Sequence, residues 1–330
     1  MDELRRIHDA ERLGAFAAKW YADSRPASRR LLKQYLARPL NAYRHEALFK
    51  RLFKLAERAE DDELMAHFLA ALDRSVRRVL RRREYYDGDA LQTRTEDSLC
   101  VPLGTVMPRP DKQRILSALR PRAPLSAALL IDTARMRLFS VHTRNYLRRR
   151  AWRYFRRLGK EHPERYAPAV VEALLQYTDD DVSDGLALLD NWRLMHALFH
   201  APPVLQAKAS GWTLAQGRSL AELTAAPAFE PLWQASAEPL LTLLQKAQCR
   251  PVRQWTVQML RRHHPRALVE MPFSGLLELL AHEDAELSQL AAESLPYSSA
   301  LGRLTVDEWL ARPEVGAQLR SELQALLENR

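Results

Sequence analysis

The residues of this chain whose types and spacing could do chemistry are mainly arginines. Five of them recur at intervals that place them on one side of a helix, and the apolar residues fall on the opposite side. These five are Arg149, Arg150, Arg153, Arg156 and Arg157. A guanidinium group can bind phosphate or carboxylate through two parallel hydrogen bonds. The spacing therefore predicts a basic helix face that engages nucleic acid or an acidic protein partner.

Three further basic runs occupy comparable positions near the ends of predicted helices. They are residues 77–83, residues 135–137 and residues 261–264. If successive helices stack in register, these runs would extend the basic face into one stripe suited to a phosphate backbone. The candidate binding site includes four arginines from these runs, namely Arg81, Arg82, Arg261 and Arg262. Two alternatives stay open, since each cluster could be a solvated helix face or could pair with nearby acids.

A second group of residues combines an acid with an aromatic ring. Asp190 and Trp192 lie two positions apart in a predicted helix. A structural role is favoured for this segment, because Trp192, Met195 and Phe199 recur at the spacing of a buried helix stripe.

The composition excludes several other classes of site. The chain has 330 residues, 10 Gly and 2 Cys, and it contains no glycine-rich phosphate loop, no C-x-x-C pair and no G-x-S-x-G motif. His196 and His200 are spaced for a helix, but the glutamate of H-E-x-x-H is missing. We therefore expect neither a metal ion nor a cofactor, and a binding protein is favoured over an enzyme.

The charge balance is basic, with 50 Lys and Arg against 41 Asp and Glu, which gives a formal net charge of +9. Of these basic residues, 42 are Arg and 8 are Lys. A GC-rich coding sequence would produce the same preference for Arg. The clustering of arginines on one helix face, rather than their number, therefore carries the binding prediction.

The hydrophobic period predicts helices along most of the chain. Helices are expected over residues 1–37, broken near Pro26, and as a hairpin over residues 43–83 whose second helix starts after Asp62 and continues to Arg83. Residues 84–110 and 203–233 lack a sustained period and are predicted to be loops. The segment 125–131 fits either a helix or a buried strand, and residues 305–330 fit a capping pair of helices.

An internal repeat is visible in the strongly helical part of the chain. Landmarks near residues 152, 156, 163 and 180 recur about 100 residues later, with matching Trp, Arg-Arg, His-Pro and acidic positions. The matching positions near the second copy are Trp255, Arg261, Pro265 and Asp284. This pattern indicates duplication of a helix–turn–helix unit.

Helical units of about 35–45 residues with an acidic pair in the turn resemble HEAT-type repeats. More narrowly, segments 143–152, 188–199 and 251–264 resemble the HEAT-like region of bacterial proteins that often carry a WGR domain. The resemblance covers residues 40–300 and implies a scaffold. The chain contains no WGR tripeptide, so the nucleic-acid role of that domain is not implied.

The segment around Trp192 also resembles the N-W-D-x-x-D stretch of the AlkD-like DNA glycosylases, which are HEAT-like arrays as well. Arg193 and His196 occupy both acidic positions of that stretch. The resemblance implies excision of alkylated bases, in which Trp192 would stack on the base and a carboxylate would stabilise the cationic sugar that develops as the glycosidic bond breaks. Asp190 could supply this carboxylate only if it points into the groove.

The sequence as a whole predicts an all-α fold, an α-solenoid of HEAT-like helical hairpins. We expect N-terminal hairpins and a long loop over residues 1–110 and a HEAT-like array over residues 111–330, or one continuous solenoid. The predicted function is a non-catalytic scaffold, with the glycosylase and the interaction region of a larger regulator as alternatives. A charged amino terminus and the lack of a long apolar stretch predict a cytoplasmic protein without a membrane span.

Overall fold

The computed structural model describes Leu4, Ile7 and residues 9–38, 45–74, 79–88, 91–100, 141–200, 202–208 and 211–298. Within these residues the fold is mostly helical, with fourteen α-helices and two β-hairpins. The predicted helical class is confirmed at this level. None of the described helices combines the length and the apolar character needed to cross a membrane.

The N-terminal helices form two packed pairs. Their bounds are α1 (Ala10–Ala22), α2 (Pro26–Ala37), α3 (Glu46–Arg58) and α4 (Asp62–Arg74). Asp9 caps α1, because its side chain accepts hydrogen bonds from the backbone N–H groups of Glu11 and Arg12 at 2.9 and 3.1 Å. The chain breaks before Pro26 as predicted, since proline fits the first turn of a helix. Helix α1 packs on α3, and α2 packs on α4.

The remaining elements follow in chain order. The next group comprises β1 (Val79–Asp87), β2 (Gln92–Cys100), α5 (Val141–Glu161), α6 (Pro163–Leu174), α7 (Gly185–Asp190) and α8 (Trp192–Leu198). The last group comprises β3 (Leu205–Lys208), β4 (Gly211–Leu214), α9 (Glu230–Gln234), α10 (Glu238–Lys246), α11 (Arg250–His263), α12 (Pro265–Val269), α13 (Phe273–Leu280) and α14 (Ala285–Ser294). Short 3₁₀ turns lie at Asp179–Val182, Leu220–Glu222 and Leu295–Tyr297.

The segment that follows α4 is a β-hairpin, and it corrects two predictions. The helix predicted to reach Arg83 ends at Arg74, and the loop predicted from residue 84 is strand up to Asp87 and again over Gln92–Cys100. Aromatic and β-branched residues favour strands, and Tyr85, Tyr86 and the threonines of β2 supply them on both sides of the turn. This preference, together with the pairing of β1 with β2, accounts for the strands.

The placement of the basic runs changes accordingly. Arg81 and Arg82 were predicted at a helix end, which is wrong, because they lie in β1 opposite Ser98 and Asp97. The other residues of two runs, namely Arg77, Arg78, Arg135 and Arg137, fall within 75–78 and 101–140, outside the described residues. The same holds for residues 101–110 of the predicted loop, the segment 125–131 and the capping pair over 305–330.

The predicted loop over residues 203–233 also contains a short β-hairpin, formed by β3 and β4 with Leu205 opposite Leu214. The β-favouring residues Trp212 and Thr213 account for this strand. Trp212 and Trp233 are both buried and belong to the hydrophobic core.

The hydrophobic core is one contiguous cluster that runs from Leu13 to Leu295. Helix α4 lies at its centre, packs on α2, α3, α5, α6 and α8, and is buried from Leu64 to Asp73. Leu147 and Leu158 mark the apolar stripe that seats α5 on this core, and both are buried as predicted. The proposed division near residue 110 falls outside the described residues.

Buried and half-buried ion pairs connect consecutive helix groups. Arg74 of α4 binds Asp181 in the turn after α6 at 2.7 Å. Arg253 of α11 binds Asp284 at 2.9 Å and Asp179 at 3.1 Å, so one guanidinium joins the turns on either side of its helix. Bidentate arginine–carboxylate geometry fixes direction as well as distance. These pairs therefore set the register between neighbouring helix groups.

Candidate nucleic-acid interface

Helix α5 holds most of the excess positive charge of the chain. It contains eight basic residues and one acidic residue, whereas the whole chain has a formal net charge of +9. A general preference for Arg would spread basic residues over all helices. The concentration on one helix is therefore a feature of this element and not of the composition.

The exposed side of α5 carries a stripe of cations. We call it the α5 cationic stripe, and its members are Arg149, Arg153, Arg156 and Lys160, all exposed. Their spacing of i, i+4, i+7 and i+11 keeps them on one side over about 16 Å of helix axis. Among the described residues, none of the four has an ion pair or hydrogen-bonded side-chain partner. The stripe therefore presents four uncompensated charges to solvent.

Arg150 and Arg157, which the sequence grouped with this stripe, have partners. Arg150 donates from Nε to both carboxylate oxygens of Glu57 at 2.9 and 2.8 Å, and from Nη1 to the Tyr146 hydroxyl at 2.6 Å. These hydrogen bonds to Glu57 hold the pKa of Arg150 above its ordinary value. Arg157 lies 3.9 Å from Glu60, a long and exposed ion pair that contributes little.

A groove of about 520 Å³ runs along this side of α5. Its walls include the stripe residues Arg153, Arg156 and Lys160, together with Tyr146 and Glu57. The full lining contains five basic and two acidic residues, Glu57 and Glu161, so the groove carries an excess of positive charge that attracts anions. The geometry can therefore hold an extended anion along the helix.

The second predicted basic cluster is largely neutralised. Arg261 pairs with Glu293 at 2.5 Å, and Arg262 pairs with Glu230 at 3.3 Å and donates to the carbonyl of Ala225 at 2.9 Å. Exposed pairs of this kind contribute little stability and are screened by salt. The two arginines consequently carry less free charge than the α5 cationic stripe.

Arg262 contacts a segment that also binds the backbone of His200. The backbone N–H of His200 donates to the carbonyl of Ala226 at 2.5 Å, next to the residue that Arg262 contacts. Burial and then the nearby charge of Arg156 lower the pKa of His200. The C-terminal end of α11 and the His200 backbone therefore contact the same segment at residues 225–226. Arg81 and Arg82 are assigned only to strand β1.

Asp190 and Trp192 are parts of the packed interior. Asp190 is only 8% exposed, and its carbonyl accepts a hydrogen bond from Arg148 at 3.1 Å. The guanidinium carbons of Arg148 and Arg193 lie 5.7 and 5.4 Å from the centre of the Trp192 ring system. Trp212 donates to the Trp192 carbonyl at 3.2 Å. The acid is therefore buried, and the Trp192 ring is half-buried among these groups.

A buried polar centre around Asp73 was missed by the sequence analysis. The Asp73 carboxylate is fully buried and accepts hydrogen bonds from Arg193 Nη1 at 2.7 Å, Tyr177 Oη at 2.9 Å and Arg148 Nη2 at 3.3 Å. It also accepts from the backbone N–H groups of Arg193 and Leu194 at 3.0 and 3.2 Å. The signal in the sequence that could have revealed this centre is an acidic residue within the uninterrupted buried stretch of α4.

The Asp73 centre positions α5. Burial alone would raise the pKa of Asp73, but the charges of Arg193 and Arg148 outweigh burial and lower this pKa below its ordinary value. The centre therefore holds an ionised carboxylate between two guanidinium groups. Because Arg148 is a residue of α5, its contact with Asp73 fixes which side of the helix faces inward. The α5 cationic stripe points outward as a result.

His196 is enclosed by aromatic rings next to this centre. Its ring centre lies 4.1 Å from that of Trp192, 4.5 Å from that of Trp212 and 5.4 Å from that of Trp152. Neither ring nitrogen has a hydrogen-bond partner within the described part of the chain. Burial, followed by the charges of His200 and Arg193, lowers the pKa of His196 to about 3. The folded protein therefore keeps this imidazole neutral.

Acid should destabilise the protein through His196. The unfolded chain binds a proton at the ordinary His pKa of 6.5, whereas His196 in the folded chain binds one only near pH 3. The free energy of unfolding is therefore highest above pH 6.5 and decreases as the pH drops towards 3. The contribution is about 1.4 kcal/mol per pH unit, hence about 2 kcal/mol between pH 6.5 and about pH 5. Urea unfolding over this range measures it.

The matched variant for this prediction is His196→Phe, which keeps a ring between the tryptophans and removes the titration. We expect its unfolding free energy to lose the extra acid dependence, whereas replacing the half-buried His162, which lies outside this aromatic cluster, by Gln should leave that dependence in place. Parallel pH profiles for wild type and His196→Phe would show that His196 does not cause the acid sensitivity.

Comparison with known proteins adds no family assignment. No protein-family model matches the chain, and neither a curated protein nor a solved structure shows significant similarity to it. The resemblances to HEAT-like repeats and AlkD-like glycosylases therefore rest on sequence pattern. The candidate site is assigned from charge and geometry.

Proposed function

We propose that this protein is a non-catalytic scaffold that binds nucleic acid through the α5 cationic stripe. The observation that carries the proposal is a set of four exposed cations on one side of a helix whose other side is anchored in the core, and none of the four has a partner among the described residues. Neutralising phosphates releases condensed counter-ions, and this release drives binding. Four cations along one line suit a ligand whose charges are also linear.

The regular spacing favours nucleic acid over an acidic protein. Rises of about 6, 4.5 and 6 Å separate successive members of the stripe along the helix axis. A phosphate backbone presents one negative charge per nucleotide in an unbroken row. An acidic protein surface mixes carboxylates with other groups and is more often recognised by discrete pairs at fixed positions.

We further propose that the helices form a HEAT-like α-solenoid. Contacts between consecutive groups support this proposal, since α4 packs on α6, α6 on α10, α10 on α11 and α11 on α14. In repeat arrays each unit contacts mainly its neighbours, and the elongated surface serves for binding. The ion pairs of Arg74 and Arg253 across successive turns fit this arrangement.

Fluorescence anisotropy with labelled single- and double-stranded DNA and RNA tests the proposed function. Four phosphate contacts to a single strand predict a salt slope of about −2.8, so affinity should fall about 50-fold between roughly 50 and 200 mM salt. Absence of binding at the lower salt would contradict the proposal. Binding of polyglutamate without binding of nucleic acid would favour an acidic protein partner. Base release from methylated DNA would favour the glycosylase alternative that uses Asp190 and Trp192.

A further inference from the structure

We propose that the nucleic acid bound by the α5 cationic stripe is single-stranded and that Tyr146 stacks on one of its bases. This inference rests on the proposed function and adds the class of ligand. Tyr146 is among the few large apolar side chains exposed in the described part of the chain, with 45% of its surface exposed. It lines the same groove as Arg153, Arg156 and Lys160.

The ring of Tyr146 is held in place before any ligand binds. Arg150 donates to the Tyr146 hydroxyl at 2.6 Å, and its guanidinium carbon lies 5.8 Å from the ring centre. Glu57 in turn fixes Arg150 through bonds of 2.9, 2.8 and 2.6 Å. A fixed ring loses little conformational freedom on binding, which favours stacking. Arg150 is therefore a positioning residue for Tyr146 rather than a free phosphate ligand.

The position of Tyr146 along α5 fits a base next to a row of phosphates. Tyr146 precedes Arg149 by about 4.5 Å of helix axis and Arg153 by about 10 Å. In this arrangement one nucleotide places its base on the ring while the phosphates that follow reach the α5 cationic stripe. Proteins that bind single strands commonly combine a basic groove with an aromatic platform for the bases.

A duplex does not offer the same contact. Its bases are stacked on one another inside the helix, and a side chain at the backbone reaches only phosphates and groove edges. Every base of a single strand has an accessible π-face, so stacking on Tyr146 would be tolerant of sequence. The geometry therefore favours single-stranded DNA or RNA, and both are arms of the test.

The experiment compares three labelled oligonucleotides of equal length, a single strand with bases, a single strand of abasic sites, and a duplex. Wild type should bind the strand with bases about 10-fold more tightly than the abasic strand. Tyr146→Leu should lower affinity for the strand with bases about 10-fold and leave affinity for the abasic strand unchanged. The control Tyr297→Leu, at a tyrosine that is 70% exposed elsewhere, should change neither affinity.

Two results would overturn the inference. Equal affinity for the strands with and without bases would show that no base stacks on Tyr146, and tighter binding of the duplex would show that the ligand is double-stranded. Both results would leave the cationic stripe in place as a phosphate site. Failure of every oligonucleotide to bind, the abasic strand included, would instead contradict the proposed function itself. Circular dichroism checks that each variant is folded.

Discussion

Replacing Asp73 with Asn is expected to lower the free energy of unfolding by about 3–5 kcal/mol. The carboxylate is fully buried and lies between the guanidinium groups of Arg193 and Arg148, at 2.7 and 3.3 Å. Removing its charge leaves two buried cations without compensation, and the Asn side chain can accept fewer of the five hydrogen bonds. Urea unfolding monitored by tryptophan fluorescence measures the loss.

A double-mutant cycle separates the charge effect from packing. We expect Arg193→Met to be strongly destabilising in the wild type but much less so in the Asp73→Asn background, because it then removes a buried charge that has lost its partner. Asp180→Asn, the same change at an exposed position, is the control and should alter stability by less than about 0.5 kcal/mol. A similar small effect for Asp73→Asn would mean that the Asp73 centre does not hold these helices together.

Simultaneous replacement of Arg149, Arg153 and Arg156 by Ala is expected to lower affinity for a single-stranded oligonucleotide on the order of 100-fold at about 50 mM salt. Three of the four cations of the stripe are lost, so the salt slope should become shallower by about 2. Stability should change little, since the three side chains are exposed and lack partners among the described residues. Anisotropy titrations at several salt concentrations measure both the affinity and the slope.

The matched control removes the same charge from another surface. Arg12, Arg30 and Arg58 are exposed on the N-terminal helices, and their triple replacement by Ala lowers the net charge equally. We expect a small loss of affinity and an unchanged salt slope in this variant. Equal losses in both triple variants would indicate attraction by net charge alone and would contradict a localised site.

The two-sided pattern of α5 could be predicted from the sequence. The spacing of Leu147, Ala151 and Leu158 placed a buried stripe on one side, and the structure confirms it. Helical period depends only on neighbours along the chain, so it is readable without tertiary information. The pattern did not distinguish Arg148, which is buried, from the exposed Arg149 beside it.

The partners of the arginines could not be predicted. Arg150 binds Glu57 and Arg262 binds Glu230, acids that are distant in the chain and are brought close only by helix packing. In the sequence, Arg193 is a departure from the N-W-D-x-x-D stretch of the AlkD-like glycosylases. In the structure it is buried and is the main partner of Asp73. Long-range pairing of this kind follows from the fold and not from local spacing.

The β-hairpin after α4 was not predicted because the local spacing of apolar residues favoured a helix. The stretch from Leu64 to Arg83 kept a helical spacing of apolar residues, and the strand preference of Val79 and Tyr85 was weaker evidence than that period. Pairing between β1 and β2 decides the outcome, since each strand supplies hydrogen bonds to the other. Such pairing is not visible in a pass along a single segment.

Photochemical cross-linking tests the central claim that helix α5 is the nucleic-acid surface. A single-stranded oligonucleotide with 4-thiouridine at alternate positions would be bound at about 50 mM salt, irradiated, and the cross-linked peptides identified by mass spectrometry. The account predicts cross-links within Val141–Glu161, concentrated near Tyr146 and lost in the triple variant of Arg149, Arg153 and Arg156. Cross-links confined to other segments, or unaffected by the triple variant, would contradict it.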